Sequence, residues 1–244
     1  RQLGRPTEAL PPSLESAQIF RALAKSKPAF LPNLAKSLYD LGLSYSELDR
    51  HAEALSPNLE SVQLNRELAK TKPAFLPDLA TALDTLGVSY SSLGRHTEAL
   101  PPTQESVQIR RELAKSNPAF LPNLATALDT LGIIYSQLGQ HSEALPLTLE
   151  SVQLYRDLAK ANPISLPNLA IALNNLGSIY SKLGQPAEAV PSNMESVQID
   201  RQLAKTNPAF LPDLANALNN LSNRYIELSQ HTEALPLTQE AFQL

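Results

Sequence analysis

Amide and acid side chains recur in this 244-residue chain at a fixed interval of 45 residues. Asparagine carries both a donor and an acceptor, so a row of asparagines can pair with successive peptide groups of an extended segment without reading its side chains. One row contains Tyr39, Asp84, Asp129, Asn174 and Asn219, and the next position contains Asp40, Thr85, Thr130, Asn175 and Asn220. Four residues beyond the first row stand Leu43, Val88, Ile133, Ser178 and Asn223. The rows grade from apolar and acidic to amide-rich. They predict a binding wall with Asn174, Asn175, Asn219, Asn220 and Asn223 as polar contacts and Leu43, Val88 and Ile133 as an apolar floor. A polar helix surface that only faces solvent would carry the same asparagines. On this face Lys36 and Lys182 stand against Asp40, Glu47, Asp84, Asp129 and Glu227. Complementarity then favours a neutral or basic ligand segment, although an ordinary acidic solvated face fits the same residues.

Other chemistries find less support. His51, His96, His141 and His231 occupy one turn position per repeat, with Pro6 and Pro186 in the same place elsewhere. A metal ion needs several ligands within about 2–2.5 Å, and side chains one repeat apart cannot converge on one ion, so a turn-packing role is expected. The His-x-Glu step in each of these repeats is not the two-histidine helical zinc motif. The absence of cysteine excludes disulfides, thiolate metal sites and cysteine nucleophiles. No glycine-rich phosphate loop follows a strand, no Ser-x-Gly elbow occurs, and Asp84 and Asp129 lack a companion base, as do Ser91, Ser136 and Ser181. The sequence therefore reads as a non-enzyme without cofactor or metal. Net charge is −4 with no basic stripe, which argues against nucleic acid as a partner. No apolar run approaches the roughly 18 residues of a membrane span, and no basic-then-apolar segment opens the sequence, so a cytoplasmic setting is the default expectation.

The elements that must position these rows follow from the prolines and glycines. Prolines outnumber glycines, 20 to 8, and most prolines fall on two ladders, 28, 73, 118, 163, 208 and 32, 77, 122, 167, 212. A period of 45 residues means a modular array. Within a repeat, Leu79, Leu83, Leu86, Tyr90 and Leu93 form one helical stripe. Pro77 falls in the first turn of that helix, and Gly94 suits a left-handed cap at its end. A second helix is predicted from an N-cap at Thr97 to about Lys115, with Ala99, Leu100, Val107, Ile109, Leu113 and Ala114 on a broad apolar arc that encloses Thr103 and Ser106. Pro101 would then be its fourth residue and would forfeit one hydrogen bond, with a mild kink. Gly42, Gly87, Gly132 and Gly177 are expected at close helix contacts, where Ser222 replaces glycine in the last repeat. Each repeat is thus a helix pair, the fold class is all-α, and a pair needs neighbours to bury its apolar faces.

Leu83, Leu86, Gly87, Tyr90, Gly94, Ala99 and Ser106 resemble the pattern of the tetratricopeptide repeat family. The interval is longer than that family's usual one, which makes the repeats similar to the extended type of kinesin light chains and to arrays in bacterial and fungal signalling NTPases. The resemblance implies a right-handed superhelical solenoid of antiparallel helix pairs whose first helices form a concave groove for an extended peptide or a helix. Asn175 and Asn220 match the position at which the family holds peptide backbone, while Asp40, Thr85 and Thr130 do not. Lys36 and Lys182 are too isolated to build the family's clamp for acidic C-terminal tails. The expected organisation is a single array over 1–244, with a partial unit 1–27, full units 28–72, 73–117, 118–162 and 163–207, and a truncated unit 208–244. Neither end shows a polar capping repeat, so a piece of a longer protein is expected, residues 1–5 being the tail of a preceding helix. The expected function is a protein-interaction scaffold. The alternatives are a structural spacer that self-associates through exposed ends, and a sensing or autoinhibitory arm of a larger signalling protein.

Overall fold

The structure, a computed structural model, describes residues 6–244, with side chains described from residue 9. The expectation for residues 1–5, Gly4 included, lies outside the described residues. Among the described residues eleven α-helices follow one another: α1 (Pro6–Ser26), α2 (Leu31–Ser46), α3 (His51–Thr71), α4 (Leu76–Ser92), α5 (His96–Ser116), α6 (Leu121–Gln137), α7 (His141–Ala161), α8 (Leu166–Lys182), α9 (Pro186–Thr206), α10 (Leu211–Glu227) and α11 (His231–Gln243). A single 3₁₀ turn, such as Pro73–Phe75, precedes each even-numbered helix. No strand occurs among the described residues. The chain divides into two compact units at the Phe120–Leu121 bond.

Proline and glycine set the helix boundaries. Pro73 opens the 3₁₀ turn and Pro77 sits in the first turn of α4, where its missing N–H has no intrahelical role. Gly94 leaves α4 with φ +71°, and the Arg95 N–H then reaches back to the Tyr90 carbonyl at 2.9 Å. This closure returns the chain to helix at His96, one residue before the expected cap. Arg95 is the N-cap and makes no side-chain cap bond. Thr97 therefore lies inside the helix, and Pro101 and Pro102 sit deeper in α5 than sequence reasoning placed Pro101. The Arg95 guanidinium lies over the Tyr90 ring, 4.8 Å from its centroid, and holds Glu98 in the first turn. Arg50, Tyr45 and Glu53 repeat the arrangement before α3.

In the first unit, Leu34, Leu38 and Leu41 of α2 bury against Ala17 of α1, and Leu79, Leu83 and Leu86 of α4 bury with Val62 of α3. In the second, Leu169, Leu173 and Leu176 of α8 close on Val152 and Tyr155 of α7, and Leu214, Leu218 and Leu221 of α10 close on Val197 of α9. The expected leucine stripe is thus the core, with Tyr90 and Leu93 at its half-buried edge. Small residues bring the helices together. A Cβ at Gly87 or Gly132 would strike the Thr103 or Thr148 hydroxyl, and one at Gly42 or Gly177 would strike the Asn58 or Asn193 amide. Where Ser222 replaces glycine, its hydroxyl pairs with Thr238 Oγ1 at 2.8 Å. Buried serines fasten the pairs from α2–α3 to α8–α9: Ser106, for example, donates to the Ala80 carbonyl at 3.1 Å and Ser151 to that of Ala125 at 2.8 Å. Ion pairs 39 residues apart, Arg66–Glu105 in the first unit and Arg156–Glu195 and Arg201–Glu240 in the second, link successive odd-numbered helices on the opposite side.

Candidate functional site

The even-numbered helices turn their leucine stripe into the core, and the residues opposite form a continuous face in each unit: α2 and α4 in the first, α6, α8 and α10 in the second. In the first unit Tyr39 and Leu43 are half-buried, and Val88 is 48% exposed. Asp84 points inward, where its Oδ2 accepts from Arg110 Nε at 2.8 Å and Nη2 at 2.5 Å. Arg110 comes from α5, is 4% exposed, and also reaches Thr81 at 3.4 Å. Burial pushes the Asp84 carboxyl up, and the Arg110 guanidinium beside it opposes the rise. Asp40 is likewise compensated, by Lys36 at 3.1 Å. Arg110 and Lys36 thus compensate Asp84 and Asp40, two of the three acids expected on this face in the first unit.

In the second unit the rows touch one another. Asn175 Nδ2 donates to Asp129 Oδ2 at 2.8 Å, and Asn220 Nδ2 points at Asn174 Oδ1 at 3.5 Å. Asn174 Oδ1 also accepts from Asn193 Nδ2 of α9 at 3.1 Å. Each ladder asparagine thus engages the helix one repeat earlier, and the Asn175 carbonyl remains available to a ligand. Asn219, Asn223 and Ser178 are exposed. Ile133, half-buried, lines a cavity of about 160 Å³ with Ser136, Asn175, Ser178 and Lys182, and Lys182 Nζ donates to Ser136 Oγ at 3.0 Å.

Asp129 is 9% exposed, and its Oδ1 has no hydrogen-bond partner. Burial pushes its carboxyl up to about 6, against the lowering influence of the Asn175 amide. Below it, the Tyr155 hydroxyl of α7 pairs with Thr126 at 2.7 Å, and burial, with a smaller contribution from the Asp129 charge, raises the tyrosine too.

Arg110 and Tyr155 belong to a set absent from the sequence-based wall: Asn65, Arg110, Tyr155 and Asp200, all buried, one from each of α3, α5, α7 and α9. They form the deep layer beneath the variable rows. Their signal was present, since they are the changing residue in otherwise near-constant segments, Glu-Ser-Val-Gln-Leu-Asn-Arg at 60–66 and Glu-Ser-Val-Gln-Ile-Asp-Arg at 195–201. Asn65 lines a cavity of about 340 Å³ between α2 and α4, with Lys36, Tyr39 and Asp78. Asp200 lines one of about 340 Å³ between α8 and α10. His51, His96 and His141 each open a second helix, one per repeat, and no group of three or more potential metal ligands converges among the described residues. No described helix is long and apolar enough to cross a membrane.

Comparison with known proteins places this architecture. Among solved structures, BtubC (BKLC) from P. vanneervenii shares 20% identity and a TM-score of 0.77 over 98% of this chain and 90% of that one. A Podosopora anserina kinesin-light-chain-type protein of nearly identical TPR-like repeats shares 23% identity and a TM-score of 0.66 over 85% and 93%. YrrB, described as a TPR protein with an unusual peptide-binding site, shares 17% identity and a TM-score of 0.56 over 93% and 92%. No curated protein sequence matches the chain. Tetratricopeptide repeat models match residues 79–118, 124–163 and 214–244, and a second such model matches residues 170–203. With more than half of its residues in these repeats, each a helix pair closed on glycine and small buried side chains, the chain belongs to the tetratricopeptide repeat family.

Proposed function

We propose that the chain is a protein-interaction scaffold that captures an extended polypeptide segment or a helix on the face of its even-numbered helices. The observation that carries this reading is where the repeats differ. The leucine stripe, the buried serines and the glycines change little, whereas the row Tyr39, Asp84, Asp129, Asn174 and Asn219, the rows beside it and the deep residues Asn65, Arg110, Tyr155 and Asp200 change from repeat to repeat. Variation on a shared backbone at one face produces a surface with a different chemistry at each step, as partner selection requires. Leu43, Val88 and Ile133 supply apolar area, and the Asn175 carbonyl with exposed Asn219 and Asn223 supplies hydrogen bonds to peptide groups. Polar peptide contacts of this kind contribute about 0.5–1.5 kcal/mol each, so several must act together.

Charge favours a neutral or basic segment, and a cytoplasmic partner agrees with the cysteine-free composition. The description of YrrB, as a protein with a peptide-binding site, is in keeping with this reading. The test is a peptide-binding screen on the intact chain, repeated with Val88→Asp and with Asn175→Ala combined with Asn220→Ala. Each variant is expected to weaken the selected peptides about tenfold; Val88→Asp should leave thermal stability near wild type, whereas Asn175→Ala with Asn220→Ala also removes the Asn175 donor to Asp129 and should be less stable at neutral pH by about 1–3 kcal/mol. Unchanged affinities for every partner in both variants would overturn the groove reading.

A further inference from the structure

The cavity between α8 and α10 is built from Pro167, Ile171, Asn174, Asn175, Asp200, Phe210, Asp213, Asn216 and Asn220. Its lining includes two carboxylates and no cation. Asp200 is 3% exposed, and among the described residues its Oδ2 accepts one long hydrogen bond, from Ser196 Oγ at 3.4 Å. Neither Asp200 nor Asp213 enters an ion pair among the described residues. A charge held in this way is destabilising unless a partner arrives. Burial and then the nearby Asp213 charge push the Asp200 carboxyl up to about 6, as expected for a carboxylate lacking a counter-charge.

The first unit contains the control. Three repeats earlier, the cavity between α2 and α4 has the same volume, about 340 Å³, and shares Pro32, Phe75 and Asp78 with the later one's Pro167, Phe210 and Asp213. It differs where charge is decided. Asn65 stands in place of Asp200, and Lys36 in place of Ile171. The lining of the earlier cavity holds one lysine and one aspartate, whereas that of the later one holds two aspartates and no cation. Ile171, 53% exposed, and Phe210 give apolar surface at the later cavity, and amides surround its carboxylates.

We propose that the cavity between α8 and α10 receives the arginine or lysine side chain of a polypeptide lying along this face. The volume is at the small end of the range of about 300–1,000 Å³ typical of ligand pockets, which suits one long side chain better than a cofactor. The aliphatic stem packs on Ile171 and Phe210, and the charged head reaches Asp200 and Asp213, with amide oxygens completing its hydrogen bonds. A planar guanidinium, with five donors, matches this many acceptors better than an ammonium. The assignment rests on the groove reading and names the side chain that the groove selects.

A random dodecapeptide library selected on the immobilised full chain tests it. The selected peptides are expected to share one position enriched in arginine or lysine. Replacing that residue by glutamine in a synthetic peptide should weaken binding about tenfold or more, the scale of a charge-assisted hydrogen bond. The same replacement should change binding less than about twofold on the Asp200→Asn/Ile171→Lys variant, which copies the chemistry of the earlier cavity and for that reason is expected to fold. Selected peptides without a basic position, or an equal loss on wild type and variant, would overturn the pocket assignment and leave the groove standing. A library that yields no binder on a thermally stable chain would remove both.

Discussion

Replacing Asp129 by asparagine should make the protein more stable at neutral pH and less sensitive to acidification. Asp129 is 9% exposed, lies under Asn175 and above Tyr155, and has no cation beside it. Its carboxyl is displaced from 3.8 to about 6 by burial. Because the folded-state value is raised, the folded protein binds the extra proton first, and stability from this group is gained as pH falls from 7 through 6 towards 4. The full displacement corresponds to about 3 kcal/mol between the two protonation states. Asparagine removes the charge and keeps a carbonyl to accept from Asn175, and the equivalent positions one and two repeats on are already Asn174 and Asn219. Asn220 and Asn174 show the same amide-to-amide contact, at 3.5 Å. Asp129→Asn should therefore add about 1–3 kcal/mol at pH 7.5 and close to nothing at pH 4, read by urea denaturation at the two pH values. Asp200 titrates in the same window, so part of the pH dependence should persist in Asp129→Asn and disappear in Asp129→Asn/Asp200→Asn. Equal or lower stability of Asp129→Asn at pH 7.5, with an unaltered pH profile, would refute the assignment of an unpaired buried charge.

Two further substitutions probe the packing under the site. Gly87→Ala places a methyl against the Thr103 hydroxyl, which is fully buried and already bonded to the Ala99 carbonyl at 2.8 Å, so a loss of about 1–3 kcal/mol in urea denaturation is expected, with recovery in Gly87→Ala/Thr103→Ala. Arg110→Ala leaves the Asp84 carboxylate without its counter-ion and should cost about 3 kcal/mol, whereas Asp84→Asn/Arg110→Asn should recover most of it, because the pair rather than either charge is what the site tolerates.

The leucine stripe, the glycine contacts and the helix pairs were legible in the sequence because each follows from local periodicity and from residues that do not vary. Thr97 misled because a hydroxyl just after a turn suggests a cap, while the start of α5 is decided by Gly94 at φ +71° and the Arg95-to-Tyr90 backbone bond. Arg110 was missed for a different reason. It stands next to Arg111 in a charged stretch, and only helix phase separates them: Arg110 is 4% exposed and Arg111 faces outward. The variable rows were visible as rows, but their partners on the following helix were not, because side-chain pairing 26 residues apart, as in Arg110–Asp84, leaves no mark in either helix alone. Charge counted on the surface rows consequently overstated the acidity of the first unit and overlooked the acid beneath the second.

The deep residues explain how one backbone carries such different sites, and they supply a final prediction. Thr81, Asp84 and Arg110 form a self-contained ion pair; Thr126, Asp129 and Tyr155 leave a carboxyl that the Asn175 amide partly satisfies; Ile171, Asn174 and Asp200 leave a carboxyl open to a cavity. The same three positions thus fill their own space in one repeat and leave it for a ligand in another. Transplanting the first solution onto the third, as Asn174→Asp with Asp200→Arg, should place a guanidinium in the space between α8 and α9 that Asp200 now borders, paired with the new carboxylate on α8 as Arg110 is with Asp84. The expected result is a protein at least as stable as wild type at pH 7.5 that no longer discriminates a basic peptide from its glutamine counterpart. Asp200→Arg alone, lacking the paired acid, should be the less stable of the two by about 1 kcal/mol or more. Equal stability of the single and double variants in urea denaturation would show that the pairing seen between Asp84 and Arg110 is not transferable, and that these positions are not the interchangeable module inferred from their geometry.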